Sequence, residues 1–330
     1  VVRTSQARRK RQPAAAHKTT LPARAPVQRV LVTGASGFVG RRVLASLRAQ
    51  GTEVVAVSRR ARREQAAPGI IQVAADIAGD GWIEWAAGCT AAIHLVGIVR
   101  EVPRQGMTFD GVHRVLTMRV VEACHRLGIR RLVHVSALGA RSDGTTAYQR
   151  TKFVAEELVR SSGLRWTIFR PSMIFGPGDG FERSIVPVMR RLRVFPVFGD
   201  GQTKLQPVSV EEVARCLVAA VECEACESQI FDLGGPEALS YDEVLRRTAR
   251  ALGLRRRFVH LPVGLSRVLL AIAERLGAVS VTRDQLTMLL EGATCETGPT
   301  ELAFGVPQQR YEGPVWLRST CTEGGRVAGT

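Results

Sequence analysis

Two residues one helical turn apart carry the clearest chemistry in this chain. Tyr148 and Lys152 form a Tyr-x-x-x-Lys, and at that spacing both side chains share one face of a helix. An ammonium beside a phenol favours phenolate, lowers the phenol pKa and lets it exchange a proton with a carbonyl or alcohol. The lysine can also hold the ribose hydroxyls of a nucleotide. An i, i+4 pair on an exposed surface is the plainer alternative, but the chain has only three tyrosines and this one opens a helical segment in the right layer. Ser136, in His134-Val-Ser136-Ala-Leu-Gly139, is a third candidate, since its hydroxyl can polarise a substrate oxygen or bond the backbone. His94 and His134 read as packed or hydrogen-bonded histidines. No compact His, Cys, Asp and Glu cluster supports a metal site, and neither a P-loop lysine nor a Gly-x-Ser-x-Gly elbow is present.

The second constellation is built to receive phosphate. Val30-Leu-Val-Thr-Gly34-Ala-Ser36-Gly37-Phe38-Val39-Gly40 sets three glycines at Gly-x-x-Gly-x-x-Gly between a strand pattern and a helix pattern. Gly34 permits the tight turn, Gly37 lets backbone approach a pyrophosphate, and Gly40 lets the helix pack closely on the sheet, with the helix N-terminus facing the negative charge. Dinucleotide binding follows, through Gly34, Ser36, Gly37, Phe38, Val39 and Gly40. The second strand ends Val57-Ser58-Arg59-Arg60, where an Asp or Glu would be expected to bind the ribose of NAD. Two guanidinium groups there can pair with a 2′-phosphate. NADP is therefore favoured, with NAD and two surface arginines as the alternative. Asp76 and Ile77 follow the third strand and can flank the adenine, unless Asp76 caps a helix.

These residues need a scaffold. Short β-branched runs at 29–33, 53–58, 69–74, 91–96, 131–135 and 164–169 predict six strands, and helical patterns at 38–49, 112–127 and 148–161 fall between them. Strands alternating with helices of this length imply a parallel sheet covered on both faces, an α/β class. Beyond Pro171 the rhythm changes to longer loops, with helices expected at 182–191, 210–221, 240–252, 263–276 and 282–290. This part should form a smaller, mostly helical substrate-side lobe, with 229–233 returning to the main sheet. The expected division is a basic tail over 1–28, a nucleotide-binding core over 29–171, the lobe over 172–291, and a poorly ordered or wrapping tail over 292–330.

At 330 residues, with 45% hydrophobic and 23% charged side chains, the chain is long enough for a sizeable core, and low-complexity or collagenous classes are excluded. The formal charge is +16. Seven positive charges, from Arg3 to Arg24, fall in residues 1–28 without an acid; such an arm can touch nucleic acid or anionic lipid, but a solvated extension is the plainer reading. Nucleic-acid binding is not favoured, because no reader motif or aromatic platform accompanies the charge. Apolar runs are broken before bilayer-spanning length and no signal-peptide stretch follows the basic start, so a cytoplasmic protein is expected. Seven scattered cysteines argue against a secreted disulfide framework. Cys223 and Cys226 form a Cys-x-x-Cys that reads as two ordinary helix cysteines. Residues 261–277 mix Leu, Val and Ile with Arg267, Glu274 and Arg275; a helix packed on the lobe is the expectation for them, with peripheral membrane contact as the alternative.

The glycine motif, Tyr148-x-x-x-Lys152 and Arg170-Pro171-Ser-Met173-Ile-Phe-Gly176-Pro-Gly-Asp179 together resemble the extended or atypical short-chain dehydrogenase/reductase superfamily, of the epimerase/dehydratase type. The resemblance spans about residues 29 to 290. His94-Leu95-Val96-Gly97, Val135-Ser-Ala-Leu-Gly139, Trp166-Thr-Ile-Phe-Arg-Pro171 and Lys204-Leu-Gln-Pro207-Val are similar to the branch containing the dinucleotide-binding accessory subunit of respiratory complex I. The resemblance implies a Rossmann sheet, an NAD(P) cofactor, Tyr148 as acid/base, Lys152 as its electrostatic partner and Ser136 as an auxiliary group. It also implies that Leu95, Val96 and Gly97 wall the cofactor and that Pro171 and Met173 lie by the nicotinamide. In active extended members a hydroxyl stands two residues beyond the strand-end serine; here that residue is Leu138.

The leading expectation is an NADP-dependent oxidoreductase acting on an unidentified carbonyl, alcohol or sugar-nucleotide-like substrate, the hydride chemistry belonging to the cofactor. Its rival is a non-catalytic protein that holds NADPH as a structural or sensing element in a respiratory or quinone-related assembly. A homodimer or larger assembly is compatible with either.

Overall fold

The computed structural model describes residues 29–60, 67–275 and 281–319; the basic arm expected over 1–28 lies outside them. The first half runs β1 (Arg29–Thr33), α1 (Phe38–Ala49), β2 (Glu53–Ser58), β3 (Ile70–Ala74), β4 (Ala91–His94), α2 (Leu116–Leu127), β5 (Arg131–Val135), α3 (Ala147–Arg160) and β6 (Arg165–Pro171). Next come β7 (Ile174–Phe175), α4 (Gly180–Arg191), β8 (Val194–Phe198), β9 (Lys204–Leu205), β10 (Val208–Ser209) and α5 (Val210–Glu222). The chain continues with β11 (Gln229–Leu233), β12 (Leu239–Ser240), α6 (Tyr241–Ala251), β13 (Arg257–Leu261), α7 (Val263–Arg275), α8 (Arg283–Glu291), α9 (Gly298–Phe304) and α10 (Trp316–Ser319).

Seven strands form one sheet in the order β11-β6-β5-β4-β1-β2-β3, and every pairing in it is parallel. Successive side chains alternate faces, so β1 sends Val30 and Val32 into a core with α1 and α5, and Leu31 into a core with α2. Burial on both faces explains why β1, β2 and β4 read as unbroken apolar runs. The strand order reverses between β1 and β4, and that crevice at the carboxyl ends of the strands is where an open α/β sheet binds ligands.

The second half of the chain is divided between two bodies. Its strand β11 joins the main sheet beside β6, as expected. Helix α5, which its position beyond Pro171 suggested would belong to the lobe, instead buries Val213, Leu217 and Val221 in the core shared with α1 and the sheet. The fully buried Arg131 caps its C-terminal end through two hydrogen bonds to Ala220 O, at 2.6 and 3.2 Å. The lobe has its own core, with Phe175, Met189, Phe195, Leu239, Tyr241, Leu245 and Tyr311. The segment after Gly292 wraps as far as it is described: Phe304 packs on Phe169 and Phe231, Tyr311 bonds Thr248 at 2.8 Å, and the Trp316 indole donates to Glu182.

One expectation is corrected here and one is refined. Cys223 and Cys226 are not two free cysteines on one α-helix: α5 ends at Glu222, Cys226 closes a short 3-10 turn, and the pair is joined as a disulfide. Helix α7 is packed on one side as expected, but its other side is left open. Only Ser266 and Leu270 of it are buried, and Leu265, Val268, Leu269 and Ile272 face outward. No described helix is long and apolar enough to cross a membrane.

Candidate active site

The glycine turn is shaped by backbone crowding. Gly34 has φ +78°, a left-handed conformation that favours glycine, and its N–H donates to Val57 O at 3.1 Å. A β-carbon there would lie 3.1 Å from the backbone of Leu95 and of Val96, so β1 and the segment after β4 meet at the crevice. At Gly40 a β-carbon would stand 2.4 Å from Gly34 O and 2.5 Å from Ala35 O. The three glycines thus let α1 start against the turn, and Gly37 is exposed at its tip, with Ser36, Phe38 and Val39 partly exposed around it. The loop after β7 closes over the same place, where Gly176 approaches Phe38 and Gly178 approaches Arg41.

Beyond β2, Arg59 and Arg60 are exposed, with no acid between them and Ser58. The Ser58 hydroxyl donates to Arg60 O at 2.9 Å and a guanidinium nitrogen of Arg59 reaches Met107 Sδ at 3.3 Å. Asp76 accepts the Ala78 N–H at 3.0 Å, closing a turn after β3, while the Ile77 side chain is buried in the α2-side core.

The chemical end is assembled by α3. Thr146 and Gln149 form a capping box at its start, which fixes where the helix begins and hence which face Tyr148 and Lys152 share. Lys152 is buried, and its ammonium donates to Val135 O at 3.0 Å. Gly97 lies directly over it: a β-carbon there would be 2.9 Å from Nζ. Burial pulls the ammonium down to about 8, against the opposing pull of Glu156 one turn along. Glu156 is itself fully buried and grips Arg170 with two hydrogen bonds, at 2.8 and 2.6 Å.

Tyr148 differs from expectation in its acidity. Its ring packs edge-on against Phe109 and His113, at 5.7 and 5.4 Å between centroids. That enclosure pushes the phenol up to about 12 rather than down, because burial strips water from a phenolate. Tyr148 is therefore a protonated acid at neutral pH.

Beneath the pair lies a buried polar network in which His94 and His134 are packed as expected, while His113 was not singled out from the sequence. A π-helical turn, Asp110–Val115, leads into α2 and points His113 inward; such turns often mark functional sites. His113 bonds Thr151 of α3 through Nδ1 at 2.9 Å, and Ile98 of the loop after β4 through Nε2. His94 bridges Thr33 and Thr117 at 2.7 and 3.2 Å, and stacks on His134 at 5.4 Å. Burial drives His94 and His113 down to about 3, and His134 well below its ordinary value, so all three are neutral. Thr151, inside the Tyr-x-x-x-Lys, was the available signal, since a threonine on the buried face needs a partner.

Ser136 is buried, and its Oγ has no hydrogen-bond partner among the described residues; the same holds for both ring nitrogens of His134. Hydroxyl-to-backbone bonding, one of the two roles open to Ser136, is thus not the one seen. Leu138 presents an apolar side chain where a hydroxyl was sought, and its N–H donates to Pro171 O at 3.0 Å. Pro171 ends β6 in this edge of the site, while Met173 leans on the lobe core. A cavity of about 510 Å³ lies on the lobe side of Phe109, lined also by Arg100, Arg267, Glu274, Arg283 and Thr287.

These features fit a dinucleotide. The close approaches at Gly34, Gly40 and Gly97 leave backbone where side chains would stand, and the buried Lys152 ammonium has one acceptor among the described residues for its three N–H groups. Fold and site thus define a protein of the nucleotide-binding α/β class. Residues 30–234 match the model of the NAD dependent epimerase/dehydratase family, and the chain belongs to that family. It is 27% identical to the mitochondrial NADH dehydrogenase [ubiquinone] 1 alpha subcomplex subunit 9 of Arabidopsis thaliana over 73% of this chain and 62% of that one. It is likewise 27% identical to the 2-alkyl-3-oxoalkanoate reductase of Stenotrophomonas maltophilia, over 86% and 96% of the two chains. Among solved structures, Thermus thermophilus UDP-glucose 4-epimerase in complex with NAD superposes with a TM-score of 0.67 at 20% identity, covering 90% of this chain and all of that one.

Proposed function

We propose that this chain binds NADP(H) in preference to NAD(H) and uses it to interconvert a carbonyl and an alcohol on a small or sugar-nucleotide-like substrate. The observation that carries the reading is Lys152. A buried ammonium with spare donors, one turn after Tyr148 and beneath Gly97, is costly to keep and suits a site that needs fixed positive charge. A bound nicotinamide supplies the hydride donor or acceptor. In the reductive direction Tyr148 Oη gives its proton to the carbonyl oxygen as the carbon gains hydride, and the Lys152 charge stabilises the phenolate left behind. The phenol's high pKa keeps that proton in place until reaction. Ser136, with its unpartnered buried hydroxyl, is the auxiliary donor in this reading. Arg59 and Arg60 are assigned to the 2′-phosphate, supported by their exposure beyond β2 and the missing acid.

Leu138 favours a second reading, in which the nucleotide is a structural or sensing element and no substrate turns over. Tyr148→Phe separates the two. In an assay of carbonyl reduction by NADPH, turnover should fall by at least about a hundredfold with NADPH affinity changed little; unchanged turnover would remove Tyr148 from the chemistry.

A further inference from the structure

Two cations and two carboxylates meet beneath the candidate site, and they come from three elements, α3, β6 and β11. Lys152 and Glu156 stand one turn apart on the buried face of α3, 5% and 0% exposed. Arg170, on β6, closes on Glu156 with the two hydrogen bonds given above and keeps 23% of its side chain exposed. Asp232 lies directly across from Arg170 in the parallel pairing of β11 with β6, and each acts on the charge of the other. Along this row the signs alternate, from Lys152 through Glu156 and Arg170 to Asp232.

The balance of the row depends on Lys152. With all four groups ionised it is neutral. With Lys152 deprotonated, two carboxylates face one guanidinium and a largely buried site carries a net negative charge, which is costly away from water. The other titratable groups around the ammonium supply no opposite charge. Tyr148 on the same helix is a protonated phenol, and His94 of β4, His113 of the π-helical turn and His134 of β5 are neutral. Among the described residues Glu156 is the anion that acts on Lys152, and it is anchored by Arg170 rather than by the lysine. We propose that Glu156 is a positioning residue for the Lys152 charge: the Arg170 fork fixes its carboxylate so that the ammonium stays protonated at neutral pH, while Asp232 balances Arg170. The inference concerns the lysine itself and rests on the nucleotide reading only for the use made of that charge.

The chain has four lysines, so NMR of the full-length protein with lysine isotope-labelled at Cε can follow Lys152 directly. Its signal is the one absent from Lys152→Met. Lys204 is exposed, and Lys10 and Lys18 precede the described residues. The wild-type Lys152 should titrate at about 8. In Glu156→Gln, which keeps an acceptor for Arg170, its proton affinity should fall at least about tenfold, a downward move of about one pH unit. Asp232→Asn should move the midpoint the same way by less, and it serves as the test if Glu156→Gln does not fold. An unmoved midpoint in the folded variant overturns the proposal, because a purely structural ion pair changes stability and leaves the Lys152 titration alone. So does a wild-type Lys152 that titrates together with Lys204. Titrating the wild type with NADPH keeps the two readings apart: a midpoint lowered by Glu156→Gln in a chain that binds no NADPH upholds the role of Glu156 and counts against the nucleotide.

Discussion

Replacing Lys152 with methionine should stabilise the protein while removing a group the site needs. Burial lowers the ammonium from 10.5 to about 8, and since a tenfold change in proton affinity is worth about 1.4 kcal/mol, the charged form costs about 3 kcal/mol in the folded state. Losing the hydrogen bond to Val135 O returns about 1 kcal/mol, so Lys152→Met should gain about 2 kcal/mol at pH 7. The sign of the pH dependence follows from the two protonation states. Below pH 8 both folded and unfolded chains hold the proton and the cost is fully present. Between pH 8 and 10.5 the folded lysine has shed its proton while the unfolded one retains it, so wild-type stability rises relative to the variant. Urea denaturation of both proteins at pH 7, 8.5 and 10 reads this directly through the midpoint at constant slope. A variant less stable than wild type at pH 7, or a gap that does not close by pH 10, would refute the placement of a buried charged lysine here. Stability surrendered at one residue in this way is common where function requires strain or buried charge.

Other outcomes follow from the same geometry. Gly40→Ala pushes a β-carbon into Gly34 O and Ala35 O, so it should destabilise by about 2–3 kcal/mol in urea titration and weaken NADPH binding; an alanine variant that binds normally would contradict the close approach of α1 to the turn. His94 and His113 are held neutral with pKa near 3, so unfolded histidines take up protons first as pH drops through 6.5. Stability should then be lost on acidification at a slope approaching about 1.4 kcal/mol per pH unit for each histidine. The His94→Asn variant should shallow the slope of a pH 7 to pH 5 denaturation series by one such increment.

The main sheet was legible because its signals are local. β1, β2 and β5 run to the residues where β-branching stops, and α1 begins where the glycine turn ends. What went unnoticed depended on partners distant in sequence. Arg131 and Glu156 look like surface charges until Ala220 and Arg170 come to meet them. The role of His113 depends on a π-helical turn that aims it at Thr151, and periodicity cannot report such a turn. Tyr148 and Lys152 were found by spacing alone, but the direction in which the Tyr148 acidity moves is set by Phe109 and His113 packing on its ring. Only one side of α7 is buried, because an apolar helical pattern signals burial without saying how much of the helix is covered.

The site from Gly34 to Lys152, with Arg59 and Arg60 at its rim, is proposed above to hold a phosphorylated nicotinamide dinucleotide. Titration of the purified protein, freed of nucleotide, with NADPH and NADH while following reduced-nicotinamide fluorescence tests this most directly. The expected result is saturable binding of both, NADPH tighter by roughly 10- to 100-fold, and loss of that preference in Arg59→Ala, Arg60→Ala. Binding of neither nucleotide would contradict it.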